Sequence, residues 1–137
     1  MDFSLTDDQE LIRAAVAKVC ADYPDEYWAE RDQNHDFPWD FYNAMANAGW
    51  IGTAIPEAYG GSGMGITEAS LVLEEVAASG AAMNGATPLH LSMFGMEPVV
   101  KYGSEEMKQM YMPRVAAGEM HVAFGVTEPD AGTDTLS

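Results

Sequence analysis

The apolar residues of the first twenty positions recur at helical spacing, and this feature constrains the fold most. Six of them form one stripe at a period of 3.6 residues: Leu11, Ile12, Ala15, Val16, Val19 and Cys20. Thr6 and Gln9 have the spacing of a capping box, and the acidic Asp7 and Asp8 lie where the helix dipole favours negative charge. The sequence therefore predicts a helix that begins just after Thr6.

Helical patterns also dominate the rest of the chain. They predict helices over 24–33, 38–48 and 67–79, with a short extended piece at 50–56. A further helix is expected to start near Thr87 and to break or kink at Pro98. A last helix is capped by Ser104, interrupted by Pro113 and ended by Gly118.

The apolar run His121 to Val126 is typical of a buried β-strand. Together with the helices, it predicts an all-α fold: an orthogonal bundle of five or six helices with one terminal β-strand.

Charge and cysteine content limit the partners and the compartment. Twenty-two acidic and six basic residues give a formal net charge of −16, and the basic residues are scattered. Nucleic acid and anionic membrane are therefore not expected as partners, because phosphate binding needs clustered Lys and Arg. Cys20 is the only cysteine, and the chain starts without a basic leader pattern. We expect a cytoplasmic protein.

Two patterns imitate functional motifs without meeting their spacing. The glycines of "YGGSGMG" lack the G-x-G-x-x-G spacing of a dinucleotide site, since Ile66 stands where the last glycine should be. We interpret them as a tight loop that turns a corner. The three histidines, His35, His90 and His121, are not at metal-ligand spacing with acidic or cysteine pairs, so no metal site is predicted.

One helical face between Gly85 and Pro98 has two interpretations. Thr87, His90 and Phe94 follow one another at three and four residues and could form a pocket wall. Ordinary core packing is the competing interpretation of the same face.

The turn after the terminal strand is also open to two interpretations. Pro129-Asp130-Ala131-Gly132 suits a type I turn, which would aim backbone N–H groups and the hydroxyls of Thr127 and Thr133 toward one side. Gly132 would let a ligand approach the backbone. The alternative is a surface turn that carries these hydroxyl side chains but binds no ligand.

A resemblance to a known family adds to the interpretation of these residues. The chain resembles the N-terminal part of acyl-CoA dehydrogenases, with matching pieces in family order: "FPWDFYNAMANAGWIG", "IPEAYGGSGMG", "LVLEEVAASGA", "PVVKYGSEEMKQMYMPRVAAGE" and "FGVTEPDAGTD". The last piece is similar to the family's flavin signature. The resemblance implies an N-terminal helical domain over 1–119 and, over 120–137, the first strand and signature turn of a middle β-domain.

The resemblance also implies roles for individual residues. Phe124, Val126, Thr127, Gly132 and Thr133 would contact FAD, with the Thr127 hydroxyl near the flavin ring and Thr133 also near the thioester substrate. Thr87, His90 and Phe94 would wall the acyl pocket. A histidine there could signal a polar or bulky acyl group.

The implied reaction is α,β-dehydrogenation of an acyl-CoA, with an electron-transfer flavoprotein as a typical acceptor and a homo-oligomer as the full-length form. No catalytic residue is expected in these 137 residues, because the family's base is a glutamate of the C-terminal domain. The chain is therefore expected to be a piece of a longer enzyme, inactive by itself and binding FAD weakly or not at all. A flavin monooxygenase or nitroalkane-oxidase-like relative and a non-catalytic helical interaction module are the alternatives.

Overall fold

Six α-helices make up most of the computed structural model, which describes residues 4–134. They are α1 (Asp7–Cys20), α2 (Asp25–Asn34), α3 (Trp39–Asn47), α4 (Ile66–Val76), α5 (Ala82–Tyr102) and α6 (Glu105–Ala116). Two 3₁₀ turns, Trp50–Gly52 and Glu57–Tyr59, connect α3 to α4, and a π-helical turn, Ala77–Ala81, joins α4 to α5. The prediction of an all-α fold is confirmed.

The first helix begins as its sequence predicts. The Thr6 hydroxyl accepts a hydrogen bond from the Gln9 N–H, and the Gln9 side chain accepts one from the Thr6 N–H. The buried stripe is narrower than expected, because Ile12, Val16 and Cys20 are buried whereas Leu11 is 66% exposed. This stripe packs against α4.

A hydrogen-bonded link joins the starts of α1 and α4. The Gln9 amide donates to Glu68 over 2.8 Å, and the other oxygen of Glu68 accepts the N–H of Gly65 at the N-cap of α4. Each side chain therefore closes the first turn of its own helix while touching the other.

The core is formed around α3 and α5. Its largest fully buried side chains are Tyr42, Phe41, Met45, Ile51, Leu89, Met112, Val16, Val72, Val76 and Val115. Trp28 of α2 meets Phe41 edge to face at 5.0 Å between ring centroids, a favourable geometry for aromatic pairs.

Three expected boundaries are wrong. The piece 50–56 contains a 3₁₀ turn rather than an extended stretch, and Pro113 lies inside an uninterrupted α6. The third error concerns α5, which starts at Ala82 and runs through both Pro88 and Pro98. Tertiary packing of this helix outweighs the hydrogen bond that each proline removes.

The main interruption of the helical path lies earlier, at the junction of α4 and α5. Gly80 and Ala82 have positive φ values of 88° and 44°. Gly80 is also pressed against α2, because a Cβ added to it would lie 2.4 Å from Asp25 Oδ1. The positive φ favours glycine at position 80, and a larger residue would also require the Asp25 carboxylate to move.

The glycine-rich stretch 59–65 is a corner loop, as its sequence indicates. Gly60 and Gly63 adopt positive φ, and a Cβ on Gly61 would lie 2.0 Å from the carbonyl oxygen of Ile55. The loop is tied back by backbone hydrogen bonds from Ser62 to Gly52 and from Gly63 to Ile55. These contacts bring the chain to the start of α4.

The residues after α6 do not form the predicted strand. Within the described residues, His121 to Thr127 carry no strand assignment, because a strand needs a ladder partner and none is present there. The turn that follows spans Glu128 to Ala131, so Pro129 is its second residue and Ala131, rather than the expected Gly132, is its fourth. We call residues 121–134 the terminal segment.

No helix within residues 4–134 combines the length and the apolar character that a membrane crossing requires.

Candidate binding clefts beside helix α5

Two clefts of about 560 Å³ each lie against α5, a size within the range of small-molecule sites. The α4–α5 cleft is lined by Ala54, Met64, Gly65, Ile66, Ala69, Ser70, Leu73, His90, Met93, Phe94, Glu97 and Lys101. The terminal cleft is lined by Phe37, Met83, Asn84, Thr87, Pro88, Leu91, His121 and Val122. Both clefts are mainly apolar.

His90 and Phe94 lie together on the wall of the α4–α5 cleft. They are four residues apart, and their rings stack at 5.4 Å with an interplanar angle of 12°. Phe94 also meets Phe124 of the terminal segment, with ring centroids 5.8 Å apart and nearly perpendicular planes. The structure thus brings Phe94, a predicted acyl-facing residue, into contact with the predicted flavin-facing Phe124, and His90 stacks on Phe94.

Thr87 lies apart from this pair. It lines the terminal cleft, beside Phe37 and His121, and does not line the α4–α5 cleft. Helical spacing places Thr87 roughly in line with Phe94, but two turns of helix, about 10 Å, separate them. Thr87 and the His90–Phe94 pair therefore belong to different clefts.

The polar groups of the α4–α5 cleft are largely occupied with one another. Lys101 Nζ is 2.7 Å from Glu97 Oε1, and this carboxylate raises the pKa of the lysine. The Ser70 hydroxyl donates to the carbonyl oxygen of Ile66 over 2.8 Å. The cleft is therefore suited to binding an apolar group and offers no nucleophile activated by a neighbouring base.

The residues predicted to face FAD are exposed. Phe124 is 62% and Val126 39% exposed, and Thr127 and Thr133 are exposed as well. Gly132 has open space where a Cβ would stand. Exposed hydroxyls, apolar side chains and an approachable backbone are what a flat heteroaromatic ligand with polar edges requires, so these residues fit a flavin.

Sequence reasoning missed the residues that hold the terminal segment. The His121 ring stacks on Tyr42 at 4.4 Å and meets Phe37 and Trp39 edge-on at 5.4 and 5.3 Å. Val122 lies against Gly95 of α5. Four aromatic residues lie within 37–42, and this density was the available signal for such a cluster.

Among residues 4–134, no three His, Cys, Asp or Glu side chains lie close enough together to hold a metal ion. The two clefts and the terminal segment are therefore the features that bear on function.

Comparisons with known proteins identify the family and the fold of the chain. The family model for the N-terminal domain of acyl-CoA dehydrogenases matches residues 6–119. An acyl-CoA dehydrogenase of Mycobacterium tuberculosis is 32% identical over 139 residues, covering 97% of this chain and 34% of that relative. The chain spans about a third of the length of the curated relatives it matches.

Solved structures give the same result. A glutaryl-coenzyme A dehydrogenase in complex with glutaryl-CoA superposes with a TM-score of 0.87 at 32% identity, covering 98% of this chain and 35% of that one. An acyl-CoA dehydrogenase from Bacillus anthracis complexed with FAD gives a TM-score of 0.83 at 26% identity, covering 97% and 23%.

Proposed function

The chain belongs to the acyl-CoA dehydrogenase family, and on that premise we propose that it is the N-terminal helical part of an FAD-dependent enzyme that introduces an α,β double bond into an acyl-CoA. The observation that carries this proposal is the contact between Phe94 and Phe124, because it joins the cleft wall to the signature segment. Acyl group and flavin would meet at this contact.

In this proposal, the α4–α5 cleft supplies one wall of the acyl site. His90 and Phe94 stack on each other, and Met93 of the same helix, which also lines the cleft, is buried. Such a wall binds the acyl group by burial of apolar surface and excludes water from the reacting carbons. Thr87, on the terminal cleft, would reach only a ligand that passes to the other side of α5.

The terminal segment would hold one face of FAD, which supplies the hydride acceptor of the reaction when it is bound. The Thr127 hydroxyl would donate toward the polar edge of the ring, and Phe124 and Val126 would contact its apolar surface. Gly132 would allow close approach of the backbone, and the Thr133 hydroxyl would serve the pyrophosphate and the thioester.

No residue of this chain is proposed as the catalytic base. Glu128 is the acidic residue of the signature, but its backbone N–H and carbonyl close the turn with Ala131 over 3.0 and 3.3 Å. We assign Glu128 a structural role in that turn. The base would come from the part of the enzyme that corresponds to the other two-thirds of the relatives, and an electron-transfer flavoprotein would reoxidise the flavin.

The proposal is tested first by an FAD titration of the purified chain, followed by absorbance and flavin fluorescence. The chain alone is expected not to retain stoichiometric FAD and not to oxidise any acyl-CoA, because it would hold only one face of the cofactor. Stoichiometric FAD on the isolated chain would contradict this account of where the cofactor is held. The expected result alone does not separate a piece of a dehydrogenase from a non-catalytic helical module.

A chimera makes that separation. Residues 1–134 would replace the matching part of the glutaryl-coenzyme A dehydrogenase whose structure they resemble, and the product is expected to bind FAD and to reduce it with an acyl-CoA. Thr127→Val in the chimera should weaken FAD retention by about tenfold, the value of one lost hydrogen bond of about 1.4 kcal/mol. Thr133→Ser, which keeps its hydroxyl, is the control. A folded chimera without flavin would exclude the proposed function.

A further inference from the structure

The terminal segment makes three successive contacts with the helical part of the chain. His121 enters the group of Phe37, Trp39 and Tyr42, Val122 lies against Gly95, and Phe124 meets Phe94. Trp39 and Tyr42 lie on α3, Phe37 lies just before it, and Phe94 and Gly95 lie on α5. Three contacts within four residues fix both the position of the segment and its register along α5.

We propose that Gly95 and His121 are positioning residues, which hold the terminal segment in register on α5. The inference rests on the proposed function, since the residues placed in this way are those assigned to FAD. It extends that function, because it makes the helical domain the template for one face of the flavin site.

Gly95 leaves space on the surface of α5 for the Val122 side chain. A Cβ built on Gly95 would lie 2.3 Å from Val122 Cγ1 and 3.3 Å from Val122 Cβ, so any larger residue at position 95 requires the Val122 side chain to move. The position is inside α5, where glycine is otherwise unfavourable. A glycine at a helical position that does not need its backbone freedom indicates a need for space.

His121 acts as the second anchor. Its ring is stacked on Tyr42 with an interplanar angle of 20° and is flanked by the edges of Phe37 and Trp39. Tyr42 is fully buried, so the His121 ring contacts a residue of the hydrophobic core. Its neighbours Met120 and Val122 are half-buried, whereas His121 itself and residues 123–130 are exposed.

The two contacts determine where the first residue proposed to contact FAD, Phe124, lies on the helical body. Phe124 follows Val122 by two positions and is thereby delivered to Phe94, the residue at the wall of the α4–α5 cleft. A slip of one residue would turn alternate side chains of an extended segment to the opposite side. The two anchors exclude that slip.

The test is nuclear magnetic resonance on the intact chain, with nuclear Overhauser contacts as the measure of register. The wild-type chain should show contacts between the Val122 methyl groups and Gly95 Hα, and between the Phe94 and Phe124 rings. Gly95→Ala should abolish both while leaving the melting temperature unchanged or higher, because alanine favours the helix. A merely structural role for Gly95 would instead lower the melting temperature.

Two matched variants test whether the effect of Gly95→Ala comes from the clash with Val122 or from adding a methyl group at any position. Gly125→Ala places the same methyl group in open space and should leave both contacts in place. Val122→Ala in the Gly95→Ala background removes the clashing methyl groups and should restore the Phe94–Phe124 contact. His121→Ala should weaken that contact severalfold without abolishing it.

The outcome is independent of the proposed function, because no flavin is used. A Phe94–Phe124 contact that survives Gly95→Ala, or that is absent from the wild-type chain, would overturn the positioning role even if the chimera binds FAD. Loss of the contact in Gly95→Ala with rescue in the double variant would support it even if the chimera does not.

Discussion

The helical body, residues 4–116, and the terminal segment use the same kinds of residue in opposite environments. Phe41 and Val72 of the body are fully buried, whereas Phe124 and Val126 of the segment are 62% and 39% exposed. The body is held by a continuous core, and the segment by three contacts near its start. The comparison shows that a segment can be placed precisely without being buried, provided that it is anchored at few well-defined points.

The largest expected effect comes from removing core volume in the body. Leu89 of α5 is fully buried, and Leu89→Ala should lower the free energy of unfolding by about 2–5 kcal/mol because it leaves a cavity. Urea unfolding followed by circular dichroism measures the change.

Phe124→Ala is the matched truncation in the terminal segment. It should change the free energy of unfolding by no more than about 0.5 kcal/mol, since the side chain is largely exposed. If Leu89→Ala and Phe124→Ala lowered the free energy of unfolding equally, the terminal segment would be part of the hydrophobic core. The contrast between body and segment would then be wrong.

A smaller effect is expected at the junction of α4 and α5. Gly80→Ala imposes a positive φ on alanine and places its Cβ against the Asp25 carboxylate, so it should destabilise the body by roughly 1–3 kcal/mol. Gly132→Ala in the segment meets no atom within 4 Å and should change stability by less than about 0.5 kcal/mol. Thermal unfolding of the two variants measures the difference in stability between the helical body and the terminal segment. Equal losses of stability in both variants would contradict the comparison.

The smallest expected effect is a pH dependence that belongs to the body. The hydrogen bond from Gln9, with those from the backbone N–H groups of Glu68 itself and of Gly65, lowers the pKa of the Glu68 carboxyl from its ordinary value of 4.5. The folded state therefore binds this proton less tightly than the unfolded state. The resulting stabilisation is present above pH 4.5 and is lost as the pH falls through the folded pKa.

Glu68→Gln should flatten part of the decline in melting temperature between about pH 5 and pH 3. Part of the decline should remain, because the Tyr59 hydroxyl lowers the pKa of Glu105 in the same direction. Glu128→Gln makes the same charge change in the terminal segment and is the control for the loss of one negative charge. An unchanged profile in Glu68→Gln would show that the link to Gln9 does not form in solution.

Local signals predicted the helices well where they agreed with packing. The caps at Thr6 and Ser104 are present, and α2 and α3 lie within one residue of their expected bounds. Prolines misled the prediction, because Pro98 and Pro113 lie inside helices that tertiary contacts keep continuous. The true interruption depends on Gly80 and its approach to Asp25, a contact 55 residues apart in sequence that no local pattern reveals.

The candidate site was only partly predictable. Spacing alone brought His90 and Phe94 together, because they are one helical turn apart. Which cleft each residue faces depends on the neighbouring elements, so the position of Thr87 could not be read from its spacing. The roles of the residues from Phe124 to Thr133 came from resemblance, and those roles remain proposals.

The link between Gln9 and Glu68 has a consequence for how the protein can be handled. Gly65, whose N–H Glu68 accepts, also lines the α4–α5 cleft, so the rim of that cleft is fastened to the first turn of the chain. Purification tags and fusion partners are usually added at this end of a protein. One that unwinds the turn at Thr6 would loosen a cleft rim 59 residues away in sequence, and binding measured on such a fusion would report the tag as well as the cleft.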